Sequence, residues 1–228
     1  MADAFGQMLL YGTAPEIVER DDGYLEAVQM SYFAPVARWP AVERRALRWV
    51  RGRVLDVGVG AGRAALELQR RGRTVVGIDV SPGAVEVARA RGVRDVRLLA
   101  FEDVDDSLGR FDTIVMFGNN FGLFGSPSKA KRLLRNLRPL ADRLVAASND
   151  PYATEDPSHL AYQERNRQRG RMAGELRLRS RYRDLVGPWF DYLIVSPEEM
   201  ASILEDTGWQ IRRLVQQSGS GYFVAVLE

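Results

Sequence analysis

Two carboxylates and three glycines carry the first chemical signal. Asp56, Gly58, Gly60 and Gly62 fall at alternate positions in Val54-Leu55-Asp56-Val57-Gly58-Val59-Gly60-Ala61-Gly62-Arg63. Asp79 closes a second apolar run, Thr74 to Ile78, 17 residues after Gly62. Glycine accepts positive φ and lets backbone N–H groups come close to a ligand. An acid at the tip of the next parallel strand can hold the two hydroxyls of a ribose. The chemistry is therefore nucleoside binding. A dinucleotide site needs G-x-G-x-x-G. Counted from Gly58 the third glycine falls on Arg63, and counted from Gly60 it falls on Ala65. An acid just before the turn, Asp56, would also repel a pyrophosphate. It suits a ligand with a cationic amine and a sulfonium.

The D-x-G-x-G-x-G pattern, with an acid ending the following strand, resembles the first motifs of the class I S-adenosylmethionine-dependent methyltransferases. The resemblance implies an α/β, Rossmann-like class I methyltransferase fold. Its sheet would be seven-stranded and mostly parallel; to this the residue spacing adds an N-terminal helical cap and an inserted β-hairpin lid after the fifth strand, which the resemblance covers only loosely. S-adenosyl-L-methionine would be the cofactor and S-adenosyl-L-homocysteine its product. Asp56, Gly58, Gly60, Gly62, Asp79 and Val80 would bind it. Phe101 and Glu102, after the third strand, would hold the adenine, with the register between them open by one residue. Phe117, closing the fourth strand, completes the cofactor set.

The loop Gly118-Asn119-Asn120-Phe121-Gly122 lies where an open α/β sheet places its ligand. Asn119 and Asn120 are the candidate catalytic pair. Amides orient a nucleophile better than they deprotonate it. The loop lacks the prolines of the [DNS]-P-P-[YFW] motif of amine methylation on nucleic-acid bases. It looks like the Gly-Asn-Ser-Phe stretch of glycine and sarcosine N-methyltransferases, with Asn120 in place of Ser. His159, the one histidine, is either a base or substrate ligand, or a histidine on a helix surface. Tyr11, Tyr32, Trp39 and Trp189 are candidates for the acceptor pocket, or else anchors that pack on the sheet. The reaction implied is in-line displacement, in which alignment alone can supply roughly 7–11 kcal/mol. No metal site is expected.

The elements that must position these residues follow from periodicity. Residues 53–147 repeat a strand–helix pattern. Phe5, Met8, Leu9 and Leu10 sit at helical spacing, and Asp21-Asp22-Gly23 is a turn signal. Arg177, Arg179, Arg181 and Arg183 alternate with Leu176, Leu178, Ser180 and Tyr182, the period of a half-buried strand. Gly187-Pro188 turns that strand onto Trp189 to Val195. The arginine row is read as a solvated face, with an anion site or RNA contact as sharper alternatives. Ser196-Pro197 starts a helix, and a strand pair around Gly219-Ser220-Gly221 follows. The organisation expected is one methyltransferase domain over 1–228: cap 1–50, cofactor-binding core 51–150, lid insert 151–195, and C-terminal helix and strand pair 196–228.

The 228 residues suffice for one sizeable core. A net charge of +2 is too small to point to nucleic acid. The absence of cysteine excludes disulfides, thiolate metal sites and cysteine-nucleophile pyrimidine methylation. With no basic leader and no apolar run of roughly 18 residues, the reading is cytoplasmic, with no membrane partner. A small-molecule acceptor is expected, on nitrogen or oxygen, with the protein a monomer or homodimer. An RNA methyltransferase and a non-catalytic S-adenosylmethionine-binding protein are the rival readings.

Overall fold

The computed structural model describes residues 3–12, 15–28, 32–217 and 219–228. In chain order, helix α1 (Ala4–Tyr11) precedes the short strands β1 (Glu16–Arg20) and β2 (Leu25–Val28) and helix α2 (Ala41–Ala46). Strand β3 (Arg53–Val57), helix α3 (Arg63–Arg70), β4 (Thr74–Asp79), α4 (Pro82–Ala90) and β5 (Asp95–Leu98) repeat the strand–helix unit. Strand β6 (Thr113–Met116), α5 (Pro127–Leu137) and β7 (Leu144–Asn149) continue it. Helix α6 (Pro157–Gln168) leads to β8 (Glu175–Tyr182), β9 (Leu185–Val186) and β10 (Phe190–Leu193). Helix α7 (Pro197–Leu204), β11 (Ile211–Gln216) and β12 (Tyr222–Leu227) follow.

Local chemistry explains where the helices start. Ser81, Ser126, Asp156 and Ser196 each cap a helix whose first residue is proline, and each side chain accepts a backbone N–H two or three residues on. Proline fixes φ there and lacks the N–H that would have been unpaired.

The main sheet runs β11-β12-β7-β6-β3-β4-β5, with the five strands β7 to β5 parallel and β12 antiparallel to β7. Strands β3, β6 and β7 are almost wholly buried, as parallel strands covered on both faces must be. Successive side chains feed opposite layers: Leu55, Ile114 and Met116 meet Phe121, Leu134 and Trp209 on one face, while Val54, Val115 and Val145 meet Ala65 and Leu68 on the other. Each of the Val, Leu, Ile, Met and Phe side chains among them contributes about 1.5–3 kcal/mol by burial. The chain builds β4 and β5 on one side of β3, then crosses to β6 and β7 on the other. The carboxyl ends of β3 and β6 therefore flank the point where strand order reverses, the usual crevice for a ligand.

A second sheet, all antiparallel, runs β10-β8-β1-β2, with β9 paired to β8. The inserted hairpin is there: Phe190 lies opposite Leu178 and Tyr192 opposite Leu176. The helical cap needs correction. The N-terminal stretch contains α1 and α2, but between them β1 and β2 form a hairpin about the Asp21-Asp22-Gly23 turn, and β1 pairs with β8 through Val18 and Ser180. These strands are only five and four residues long. The turn signal marks the tip of this hairpin, but β8, the partner of β1, is some 160 residues away in sequence, so no local signal marks that pairing.

Candidate active site

The floor of the site is the end of β3 and β4. Gly58 (φ 69°) and Gly60 (φ 52°) turn the chain toward α3. The N–H groups of Gly58 and Val59 both donate to the Ile78 carbonyl, at 3.0 and 2.9 Å, which fixes the turn to the tip of β4. A Cβ on Gly58 would fall 2.5 Å from the Asn120 amide nitrogen. Asp79 accepts from Gly60 N–H through Oδ2 (2.9 Å) and from Ser81 N–H through Oδ1 (3.0 Å). Each oxygen keeps a lone pair for a ligand hydroxyl. Burial raises the Asp79 carboxyl, against those two N–H groups. Asp56 is 3% exposed, and its Oδ2 has no hydrogen-bond partner among the described residues. Burial pushes its carboxyl up to about 7, with the Arg63 guanidinium and the Ala65 N–H pulling the other way. A buried orphan acceptor of this kind has room to accept a hydrogen bond from a ligand N–H. Val80, 68% exposed beside Asp79, gives the wall an apolar surface with Leu99 and Leu123.

The β6–α5 loop supplies one side. Asn120 donates its amide to the carbonyls of Val57 (2.8 Å) and Gly58 (3.1 Å), so it holds the glycine turn rather than facing a reactant. Asn119 sits in the left-handed region (φ 67°), and its Oδ1 is buried without a partner among the described residues. Behind the loop, Glu43 of α2 is fully buried. It accepts from Gly118 N–H (2.8 Å), the Tyr222 hydroxyl (2.5 Å) and Arg63 (2.8 Å). It ties the loop, α3 and β12 together.

The second sheet roofs the floor. Glu16, Val18 and Arg20 of β1 and Leu176, Leu178 and Ser180 of β8 face inward, as the two-residue strand period requires. Glu16 is 6% exposed and accepts from the Tyr32 and Ser180 hydroxyls, both at 2.7 Å. Burial and the nearby Glu16 carboxylate hold the Tyr32 phenol far above its usual range. Tyr32 lies above Gly60 and packs edge-on against Phe5 at 5.4 Å. The Tyr192 hydroxyl donates to the Asn119 carbonyl (2.5 Å), and a Cβ on Gly122 would fall 2.1 Å from its ring. Burial and the Glu16 charge keep that phenol protonated too. Floor and roof enclose a cavity of about 1100 Å³. Single-ligand pockets usually span roughly 300–1,000 Å³, so this one has room for two molecules.

Most sequence-derived site residues converge here: Asp56, Gly58, Gly60, Asp79, Val80, Phe101, Glu102, Phe117, Asn119, Asn120, Tyr32 and His159 all line the cavity. Four do not. Gly62 caps α3, and a Cβ there would strike Val93. Tyr11 is 62% exposed at the far end of α1. Trp39 is buried under the Arg63 guanidinium (4.4 Å) and edge-on to Phe117. Trp189 lies on the outer face of the roof under Arg179 (4.4 Å), because its neighbours Pro188 and Phe190 take the inward positions. Phe101 reaches the cavity from the core, edge-on to Phe124, while Glu102 pairs with Lys129 on the rim. His159 has Nδ1 at 2.9 Å from Arg20, which can only donate. Its lone pair is thus committed, and what it offers the cavity is an Nε2–H donor rather than a base. The arginine row points outward and is partly offset by acids: Arg179 and Arg181 share Glu19, and Arg177 binds Asp191. Sequence reasoning missed Glu16, Tyr192 and Glu43. For Glu43 a signal existed: an acid beside Val42 and Ala46 on an apolar helix face.

A family profile described as a methyltransferase domain matches residues 54–141. Curated relatives include the magnesium-protoporphyrin O-methyltransferase of Rhodobacter capsulatus, 39% identical over 67 residues, which are 28% of this chain and 30% of that protein. The ubiquinone biosynthesis O-methyltransferase of Azorhizobium caulinodans is 38% identical over 79 residues, 32% of this chain and 31% of that protein. The chain thus aligns with about a third of these relatives' length. Among solved structures, an S-adenosylmethionine-dependent methyltransferase from Bacteroides fragilis, in complex with S-adenosyl-L-homocysteine, superposes with a TM-score of 0.81 at 27% identity, covering 99% of this chain and 92% of that one. The CcbJ methyltransferase of Streptomyces caelestis shares the fold, with a TM-score of 0.61 at 16% identity over 88% of this chain and 98% of its own.

Proposed function

We propose, from the premise that this chain belongs to the class I S-adenosylmethionine-dependent methyltransferases, that it methylates a nitrogen or oxygen of a small molecule. The observation that carries this reading is the pairing of a floor that fits the donor with a roof that leaves a second compartment above it. When bound, S-adenosylmethionine supplies a methyl group already activated by its sulfonium. On this reading Asp56 receives the donor's ammonium and Asp79 the ribose hydroxyls, with Val80 and Leu99 against the adenine. Asn119 and Tyr192 align the acceptor, and the roof excludes water. The O-methyltransferase names of the curated relatives support a small-molecule acceptor. So does the pairing of Arg177, Arg179 and Arg181 with Asp191 and Glu19, which weakens the row's pull on RNA phosphates.

We read the chain as one domain and its site as cytoplasmic, working as a monomer or homodimer; no helix among the described residues is long and apolar enough to cross a membrane. The test is isothermal titration with S-adenosylmethionine, S-adenosylhomocysteine and NAD, followed by an acceptor panel scored for S-adenosylhomocysteine release. Micromolar binding of the first two, none of NAD, and turnover with a small molecule are expected. Donor binding without turnover on any acceptor would turn the assignment to a sensor, and a steeply salt-dependent RNA affinity would turn it to an RNA enzyme.

A further inference from the structure

We infer that the methyl acceptor is an amine and that Glu16 receives its N–H. The inference rests on the methyl-transfer reading above and names the substrate class for the same site.

The charge of the cavity points this way. Its wall carries eight carboxylates against three cationic side chains. Each of those cations already has its own acid: Arg20 binds Asp22 (2.8 Å), Arg63 binds Glu43 (2.8 Å) and Lys129 binds Glu102. Several of the wall acids are accounted for. Asp56 and Asp79 serve the donor floor. Asp3 caps α1 through Gly6 N–H (2.8 Å) and binds Gly83 N–H (2.9 Å) at the start of α4. Glu16 is different. It is buried in the roof, it has no ion pair among the described residues, and its two oxygens accept only the neutral hydroxyls of Tyr32 and Ser180. An ionised carboxylate has about four acceptor sites, and burying one without a cation is costly. Three residues along the same strand pair, Glu19 shows the ordinary solution: Arg179 and Arg181 hold its carboxyl down to about 2.

A second acceptor waits in the same space. Asn119 Oδ1 is buried and unpartnered among the described residues, and the Tyr192 hydroxyl bonded to the Asn119 carbonyl lies in the field of Glu16. Both groups call for N–H donors. The aromatic side chains of Tyr24, Tyr32 and Phe190 on the wall suit a cation as well. A carboxylate acceptor would meet a wall of its own sign. An alcohol would leave the Glu16 charge uncompensated. For an ammonium the proton has a destination: the nitrogen gives one proton to Glu16, its freed lone pair forms the new N–C bond, and the S–C bond breaks with its electron pair left on sulfur. Glu16 returns the proton to water as products leave.

The test is calorimetry on protein saturated with S-adenosylhomocysteine. Two matched sets serve as probes: phenethylamine, 2-phenylethanol and phenylacetate, and hexylamine, hexanol and hexanoate. At least one amine is expected to bind tenfold or more tighter than its alcohol and acid counterparts. Glu16→Gln should cut that preference below threefold while S-adenosylhomocysteine affinity stays within twofold. Amines that bind no better than their counterparts, or a preference that survives Glu16→Gln, would overturn the inference. So would a tenfold loss of S-adenosylhomocysteine affinity in Glu16→Gln, since Glu16 would then belong to the donor. Should that variant lose its melting transition, Glu16→Asp keeps the charge on a shorter stem; a fivefold loss of amine affinity is expected, and an unchanged affinity refutes the role. Failure of wild-type protein to bind S-adenosylhomocysteine at all would instead be a failure of the methyl-transfer reading. Binding without amine preference sinks the amine assignment alone.

Discussion

The main sheet takes its five parallel strands from one stretch, residues 53–149, whereas the antiparallel roof pairs Ile17 to Arg20 of β1 with Leu178 to Arg181 of β8. In the first, β3, β4 and β6 are each followed in sequence by a helix, α3, α4 and α5, and the glycine turn, Asp56 and Asp79 sit within 24 residues of one another. In the second, the inward row of Glu16, Val18 and Arg20 acquires meaning only when β8 arrives opposite it. The floor is therefore a local device for a constant ligand. The roof is assembled from distant segments and is free to differ in what it recognises. Its polar groups differ accordingly: backbone N–H groups with Asp56 and Asp79 below, Glu16 with hydroxyls and phenols above.

The sharpest way to break this division is through the residue that spans the junction. Glu43→Ala leaves Arg63, the Gly118 N–H and the Tyr222 hydroxyl without their shared acceptor. Removing one partner of a buried pair costs about 3–5 kcal/mol. A fall in melting temperature on the order of 10 °C is expected for a chain of this size, read by differential scanning calorimetry. A change under 2 °C would mean that the junction is held elsewhere.

On the floor alone, Asp79→Ala should weaken S-adenosylhomocysteine binding roughly 100-fold, the loss of two hydrogen bonds to a charged acceptor at about 1.5 kcal/mol each. Far-UV circular dichroism should be unchanged. An affinity within threefold of wild type would remove Asp79 from the ribose contacts.

Asp56 gives the floor a pH signature. Its folded pKa of about 7 lies above the unfolded value, so the contribution it makes is fully present below about 4 and fades as pH rises through about 7. In urea titrations the stability of wild type relative to Asp56→Asn should therefore fall between pH 5 and pH 8. A ligand ammonium favours the carboxylate, so S-adenosylhomocysteine binding at pH 6 should release protons, as read in buffers of different ionisation enthalpy. Equal proton release by Asp56→Asn would count against the ammonium contact.

The smallest effect belongs to the roof. Tyr192→Phe removes one hydrogen bond to the Asn119 carbonyl, worth about 1 kcal/mol. Donor affinity should stay within twofold while acceptor kcat/KM drops several-fold. The reverse pattern would place Tyr192 on the donor side. Trp189→Ala, on the outer face, should change neither.

The strand–helix repeat was legible because its signals are close in sequence. Apolar runs, glycine breaks and Ser-Pro caps fix β3 through α5, and the D-x-G-x-G-x-G turn names its ligand before any folding is considered. The alternation of Arg177 to Arg183 announced β8, and even its solvated face. The choice of inward residue failed at Trp189 by one position, because a two-residue period fixes which residues share a face but not which face meets the cavity. Trp39 and Tyr11 failed for a related reason: aromatic type marks burial or contact, not the partner. By itself, then, the sequence determined where the glycine turn and its two acids fall, since a turn and two strand tips are set by residues within one βαβ unit. Only the tertiary structure decided the acceptor site. Glu16, Ser180, Tyr32 and Tyr192 come from four separate segments, and the charge that remains unpaired among them depends on which arginines the folded sheet turns outward.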